Sequence, residues 1–408
     1  MRHEQTDLAA ELPAVTLAPS DRSELLLQVQ ALVDDALLEF TSSRLGAGAS
    51  PGEEWLEIRE YDRIRLYRER QSVTASTSSR GDRQPPLPHV LAVGTTLGSL
   101  DDVMYGALAV TDEELRMRTR YTGDATTVRS KVLHSLVRPS SEDPLRHVNV
   151  GWSCFHVSPT SGIRRLWNPR DCVAIESVGT TISSSGDRLG YVLQRSVDLK
   201  ALSPYEHVDI VRANVATFAV YRELSTGVVL CVAKSFYDLG GVWKAVGVRC
   251  IADRVLSLCR LSQCAYMKKL ARLMHTALWT HLDDEPPQAT GACVVCRASL
   301  RASVFSSRVR RCGICRYEVC SRCAHAKKLL TSPATAGGDL ASRTPQEQRV
   351  RVCAGCIQHA RQASALCIAL EEQQLDDDGF PTAPRVELAS LTSHETQLSA
   401  DDTAAYHF

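Results

Sequence analysis

Across 408 residues the charges balance, 47 basic against 47 acidic, so no overall field favours nucleic acid or another bulk polyanion. The length favours two or three domains, and no run approaches the ~18 apolar residues of a membrane-spanning helix. Met1 to Ser20 is polar and lacks an apolar leader core, and seven cysteines sit singly in apolar stretches as reduced thiols do, so the expected location is cytoplasmic.

Residues 21–43 repeat apolar side chains near the helical period (Leu25, Leu26, Val29, Leu32, Val33, Leu37), with Asp21 or Ser23 as the expected cap. A Gly/Ala/Ser/Pro break at 46–52 leads into a β-rich region. Strands are expected at 55–67, 89–95, 147–157, 172–182, 190–199, 211–222 and 228–237. Hairpin turns are expected at 183–188 and 223–227. Residues 71–86 and 331–348 read as loops.

From 241 to 279 one apolar stripe (Val242, Val246, Val248, Ile251, Val255, Leu258, Tyr266, Leu270, Leu273) predicts a single long helix that closes the sheet. Asp283-Asp284-Glu285-Pro286-Pro287 then marks a linker at 280–289. After a cysteine-rich window at 290–358, a short helix is expected at about 359–375, with Ile357, Ala360, Leu366 and Ile368 as its apolar contacts. An acidic, disordered tail is expected over 376–408. None of the nucleophile-elbow, P-loop or H-E-x-x-H patterns occurs, and His134, His147, His156 and His207 stand singly, so no enzyme is expected.

Helix, meandering antiparallel sheet and long C-terminal helix make an α+β arrangement in which a curved sheet closes on one helix. It resembles the START lipid-transfer domain, a helix-grip fold, over residues 20–279. Two stretches carry the resemblance. RLWNPRDCVAIESV (165–178) places Arg170-Asp171 before a strand, and YDLGGVWKAVG (237–247) supplies an Asp-x-Gly-Gly turn into the last helix. The resemblance implies a lipid or sterol in the slot between sheet and helix. Apolar side chains such as Val246, Ile251, Val255 and Leu258 line either such a slot or a closed core. Arg170 and Asp171 also read as a plain structural ion pair.

Eight of the 15 cysteines form four C-x2-C pairs: Cys293/Cys296, Cys312/Cys315, Cys320/Cys323 and Cys353/Cys356. Eight thiolates suit two zinc ions with none spare, and a pair two residues apart grips one ion from a tight knuckle. Only four residues separate the second and third pairs, too few for an independent finger. An interleaved, cross-braced module follows. Cys293, Cys296, Cys320 and Cys323 would hold one ion, and Cys312, Cys315, Cys353 and Cys356 the other.

Between Arg297 and Lys328 nine basic residues face one acidic residue, Glu318. Arg308, Arg310 and Arg311 precede Cys312, and Arg351 lies just ahead of Cys353, so a shared ion would bring the two arginine segments together. Guanidinium forks suit phosphate. Val304 and Phe305, at the patch edge, are the candidate apolar tips for membrane insertion.

The window resembles a FYVE zinc finger in its four C-x2-C pairs, the four-residue central gap and Arg351-Val352-Cys353. It departs at the basic motif, where Arg308-Val309-Arg310-Arg311-Cys312-Gly313 has arginine in place of both family histidines and glycine in place of the arginine after the cysteine. Leu300 stands where the family commonly has an aromatic residue, and Trp279 and Asp283 lie too far upstream for its tryptophan motif. The resemblance implies a non-enzymatic adaptor on anionic endosomal membranes, with phosphatidylinositol 3-phosphate as the candidate headgroup and reduced selectivity. Two alternatives stand beside it: a module for protein contacts only, and a RING-like ubiquitin ligase, for which His325 is the nearest histidine.

Overall fold

The computed structural model describes residues 12, 15–46, 50–70, 87–158, 166–199, 202, 209–280, 289–300, 310–331 and 346–378. The expected loop at 71–86 and the acidic tail beyond 378 lie outside these residues. Helix α1 (Pro19–Ser42) starts on a proline in its first turn, with Ala18 at the cap position and no side-chain cap, so neither Asp21 nor Ser23 serves as the cap.

The expected strand at 55–67 is a hairpin, β1 (Trp55–Tyr61) and β2 (Ile64–Glu69), turned at Asp62 in the left-handed region. Next come β3 (Val90–Leu97), α2 (Leu100–Ala107), α3 (Asp112–Tyr121) and β4 (Thr127–Val137). Sequence reading did not anticipate the last three. Both helices open on a capping box, Ser99 with Asp102 and Thr111 with Glu114, which is the signal that marks them.

The sheet continues through β5 (His147–Phe155), β6 (Arg170–Ile182), β7 (Arg188–Ser196), β8 (Val211–Arg212), β9 (Asn214–Ser225) and β10 (Val228–Asp238). Its order is β1-β2-β3-β10-β9-β7-β6-β5-β4, with β8 paired in parallel to β6. The hairpin turns fall as expected, with Gly186 and Gly227 at positive φ in them.

Both faces of the sheet are covered. On one, Leu66, Val90, Ala92, Tyr221, Cys231 and Ala233 pack with α2 and with the C-terminal helices. On the other, α1 lays Val29 and Val33 against Val148, Val150, Trp152, Val173 and Ile175, and Phe40 against Leu91, Leu230 and Val232. Double coverage explains the nearly continuous burial of β6.

The predicted helix at 241–279 is two helices, α4 (Lys244–Leu258) and α5 (Leu261–Thr280). Gly240 and Gly241, at φ 56° and 73°, turn the chain and delay the start to Lys244. The break carries neither Gly nor Pro, and tertiary contacts hold it. Tyr221 Oη donates to the Leu258 carbonyl at 3.0 Å, while the Arg260 guanidinium lies 4.4 Å over the Tyr61 ring and donates to the Thr122 carbonyl at 3.1 Å. The apolar stripe runs unbroken because both helices bury the same side.

The C-terminal module comprises β11 (Arg310–Arg311), β12 (Glu318–Val319), β13 (Ala324–Thr331), β14 (Gln346–Cys353), α6 (Ala354–Gln362) and α7 (Ala365–Asp378). The one expected terminal helix is thus two. Part of the expected loop at 331–348 is strand, and residues 332–345 lie outside the described ones. The module shares a core with α5: Leu270 and Met274 pack with Cys293, Cys312, Ile314, Leu329, Val350, Val352 and Ala360. Ala365 and Ala369 of α7 pack into the sheet-domain core beside α2. The α+β class and the cross-braced module are therefore as read from the sequence, but the two parts are welded together.

Helices α2 and α5 touch at Gly106, where a Cβ would lie 1.9 Å from the Leu261 carbonyl oxygen. Since backbone cannot yield there, Gly106→Ala should destabilise the chain by about 3 kcal/mol. The urea midpoint measures this, and an unchanged midpoint would refute the contact.

Candidate functional sites

The four sulfurs of Cys293, Cys296, Cys320 and Cys323 lie within 4.8 Å of one another, as do those of Cys312, Cys315, Cys353 and Cys356. This is the interleaved pairing expected from spacing. Sulfur–sulfur distances of 3.7 Å (Cys296–Cys320), 3.8 Å (Cys315–Cys353) and 3.9 Å (Cys312–Cys356) exclude disulfides. They match the roughly 3.8 Å edge of a tetrahedron whose metal–sulfur bonds are about 2.3 Å.

Local structure builds the donors. The Arg297 N–H donates to the Cys293 carbonyl at 2.9 Å and the Arg316 N–H to the Cys312 carbonyl at 3.0 Å, closing two tight knuckles. Arg297 and Arg316 pay for this turn by standing at φ 59° and 62°, unusual for residues with a Cβ. Backbone N–H groups of Ile314 and Cys353 point at Cys312 Sγ from 3.4 and 3.3 Å, as suits a thiolate. Each tetrad can hold a metal ion, and His325, opposite Val352 in the β13–β14 ladder, belongs to neither.

The two arginine segments do meet. The Gly313 N–H donates to the Arg351 carbonyl at 2.7 Å, placing β11 with Arg310 and Arg311 beside the end of β14. A Cβ at Gly313 would fall 2.3 Å from Val350 Cγ1, so this joint favours a glycine. Arg311 and Arg351 are exposed and Arg310 is half-buried. Arg308, Val304 and Phe305 lie outside the described residues.

Along β14, Val350 and Val352 turn inward and Arg349 and Arg351 outward. Their cross-strand partners are Lys328 and Ala326. Arg349 was missed in the sequence, where the Arg-x-Arg spacing within a strand was the available signal. The acidic residue at this end, Glu347, pairs with Lys328 and with Arg120 of α3.

Arg170 and Asp171 are adjacent on β6 and do not pair with each other. Arg170 donates to the Leu239 and Gly240 carbonyls at 2.8 Å each and to that of Asn168, fixing the glycine turn before α4. Asp171 is fully buried and accepts from Arg212 (2.9 and 3.0 Å) and from Trp152 Nε1 (2.9 Å). Both are structural.

Between the sheet and α3–α4 lies a cavity of about 120 Å³, lined by Val255 and Leu258 as expected and by polar residues that include Arg118, Glu176 and Arg254. Val246 and Ile251 belong to the packed core instead. Arg118 makes a two-pronged pair with Glu176 at 2.8 and 2.9 Å, and His147 Nε2 approaches the same carboxylate at 3.2 Å. Burial by itself would raise the Glu176 pKa, yet the Arg118 charge and the His147 contact outweigh it and hold the carboxyl at about 2. Arg254 bonds Tyr237 Oη, Asp124 and Thr127. Burial tends to raise Asp124, but Arg254 and the Thr126 and Thr127 hydroxyls bring it below the ordinary carboxyl range.

No protein-family model matches this chain, and no curated protein sequence matches it. Solved structures do. Human STARD10 is 13% identical with a TM-score of 0.37 over 60% of this chain and 86% of its own. Human StAR-related lipid transfer protein 5 is 15% identical with a TM-score of 0.38 over 58% and 97%. A STAR-related lipid transfer protein from Xanthomonas axonopodis is 11% identical with a TM-score of 0.36 over 52% and 97%. Nothing about a ligand of this chain follows from them.

A carboxyl depressed in the folded state stabilises fully above its unfolded pKa, and that contribution is lost as pH falls through the folded value. For Glu176 the window runs from about pH 4.5 down to about 2. Glu176→Gln should therefore cost about 3 kcal/mol at pH 7 and flatten the acid limb in that window. Urea unfolding at stepped pH is the measurement.

Proposed function

We infer that this chain is a non-enzymatic adaptor whose C-terminal module, braced by two zinc ions, docks on anionic membranes. The observation that carries the reading is the Gly313–Arg351 joint, which gathers Arg310, Arg311, Arg349 and Arg351 beside a cysteine tetrad. All-thiolate, tetrahedrally spaced donors favour zinc over harder cations. Its role is structural, since four thiolates leave no position for substrate.

Planar guanidinium groups on an exposed strand face suit lipid phosphates, phosphatidylinositol 3-phosphate among them. With arginine at both histidine positions of the resembled motif, attraction is set by charge more than by headgroup. Endosomal membranes facing the cytoplasm are the proposed location. For the N-terminal domain a lipid or sterol is the partner that the sheet-over-helix arrangement suggests. Its cavity of about 120 Å³ is below the roughly 300–1,000 Å³ of drug-sized sites, so a wall such as α3 must move to admit it.

Elemental analysis should find two zinc ions per chain. Cys312→Ser and Cys353→Ser should each release the same ion, and Cys293→Ser and Cys320→Ser the other. Metal binding at such sites contributes on the order of 10–16 kcal/mol. Because Leu270 and Met274 share the module core, chelation should lower the thermal midpoint of the whole chain, not of the module alone. One ion per folded chain would end the two-site reading.

Sedimentation of the full chain with anionic liposomes tests the membrane role. Replacing Arg310, Arg311 and Arg351 by Ala should weaken binding about a hundredfold, at about 1 kcal/mol per basic residue, and high salt should mimic the change. A full chain that ignores such liposomes at low salt would leave a module for protein contacts, and ubiquitin-transfer assays would then test the ligase alternative.

A further inference from the structure

The two cysteine tetrads share one sulfur geometry but differ in access. In the second, Cys312, Cys353 and Cys356 are 1%, 2% and 4% exposed, and Cys315 is half-buried. In the first, Cys293 is buried, Cys320 and Cys323 are half-buried, and Cys296 is exposed. The other exposed thiol of the chain, Cys367, belongs to neither tetrad.

The scaffolds differ as well. Cys353 caps the N-terminus of α6, and its sulfur accepts from the Cys356 N–H at 3.4 Å, so two ligands of the second tetrad ride on a helix start. That helix packs Ala360 into the core shared with Leu270 and Met274 of α5, and Ile314, between Cys312 and Cys315, lies in the same core. The first tetrad stands on two turns. One carries Cys293 and Cys296 and is flanked by a single bridge, Ala292 to Ser299; the other is closed by the Cys323 N–H on the Cys320 carbonyl at 3.2 Å.

The thiolate is both the metal ligand and the nucleophile of cysteine chemistry, and oxidation selects an exposed thiolate with a second sulfur in reach. Cys296 meets both conditions, with Cys320 Sγ 3.7 Å away. Distance alone does not single out this pair, since sulfurs of the second tetrad approach to 3.8 and 3.9 Å. Access does.

We propose that Cys296 and Cys320 form a peroxide-reactive site, which makes the first tetrad a releasable metal site and the second a permanent one. The proposal rests on the two-zinc reading of the module. Cys296 Sγ attacks one peroxide oxygen, the O–O bond breaks, and the departing hydroxide takes a proton from solvent to become water. Cys320 Sγ then attacks the sulfenic sulfur. The S–S bond forms as the S–O bond breaks, and a second hydroxide leaves and is protonated to water. The two sulfurs lose two electrons in all, and one hydrogen peroxide is reduced to two waters. Two thiolates remain in the tetrad, too few to hold its ion.

Metal release from the zinc-loaded full chain tests this, followed with a chromogenic chelator as hydrogen peroxide is added. Elemental analysis beforehand fixes the starting content. One equivalent should appear at least about tenfold faster than the second, as the difference in exposure requires. Peptide mapping without reductant, at the end of the fast phase, should find Cys296 joined to Cys320. Cys367→Ser should leave both phases unchanged, because that thiol holds no ion. Cys320→Ser should remove the fast phase and keep the slow one. Fewer than two ions before peroxide would defeat the two-zinc reading, and this proposal with it. With two ions present, release of both at one rate, or a fast phase without the Cys296–Cys320 link, overturns this proposal alone.

Discussion

One buried ammonium joins the parts of this molecule. Lys269 of α5 is 2% exposed, and its Nζ donates to Asp102 of α2 and to the carbonyl of Ala363, between α6 and α7. A charge so deep is tolerable only when paired, and removing one partner from such a pair costs roughly 3–5 kcal/mol. Lys268, one residue earlier, caps the end of α2 through the Tyr105 and Leu108 carbonyls, and Arg272, one turn later, holds Glu371 and Glu372 of α7. With these three cations placed, α5 becomes the shared axis of the sheet domain and the cysteine-rich module.

That dependence changes how the module should be regarded. Two of its four strands, β11 and β12, have only two residues each, and such small cores need metals or partners to fold. Here it has two thiolate tetrads inside that can each hold a metal ion, and Leu270 and Met274 of α5 against Cys293 and Ile314 outside. The left-handed knuckle residues Arg297 and Arg316 are local strain that the surrounding contacts must offset. A fragment cut at the expected linker would leave Leu270 and Met274 of this core behind.

Helix α3 sits at the junction of two otherwise distant features. Leu115, Arg118 and Thr119 wall the cavity, while Tyr121 Oη accepts from the Leu330 N–H at 2.8 Å and Arg120 pairs with Glu347 on the module's ribbon. One short helix thus touches both the cavity and the module's ribbon.

Much of this was legible in the sequence, for reasons of local chemistry. Four C-x2-C pairs with a four-residue central gap admit one sensible interleaving, and the two tetrads follow it. Period-two alternation and glycine turns placed seven strand regions and both hairpins. The capping boxes before α2 and α3 were equally local and went unread. Other features were decided only in three dimensions. The break at Cys259–Arg260 has no helix breaker, since Tyr221 and Tyr61 impose it from the sheet. The cavity arises from side chains on six strands that are far apart in sequence, and its polar members read alone as ordinary exposed positions. The fusion of module to sheet domain rests on Lys269 and its neighbours, because a lysine in a helix looks solvated until a carboxylate and a carbonyl close over it.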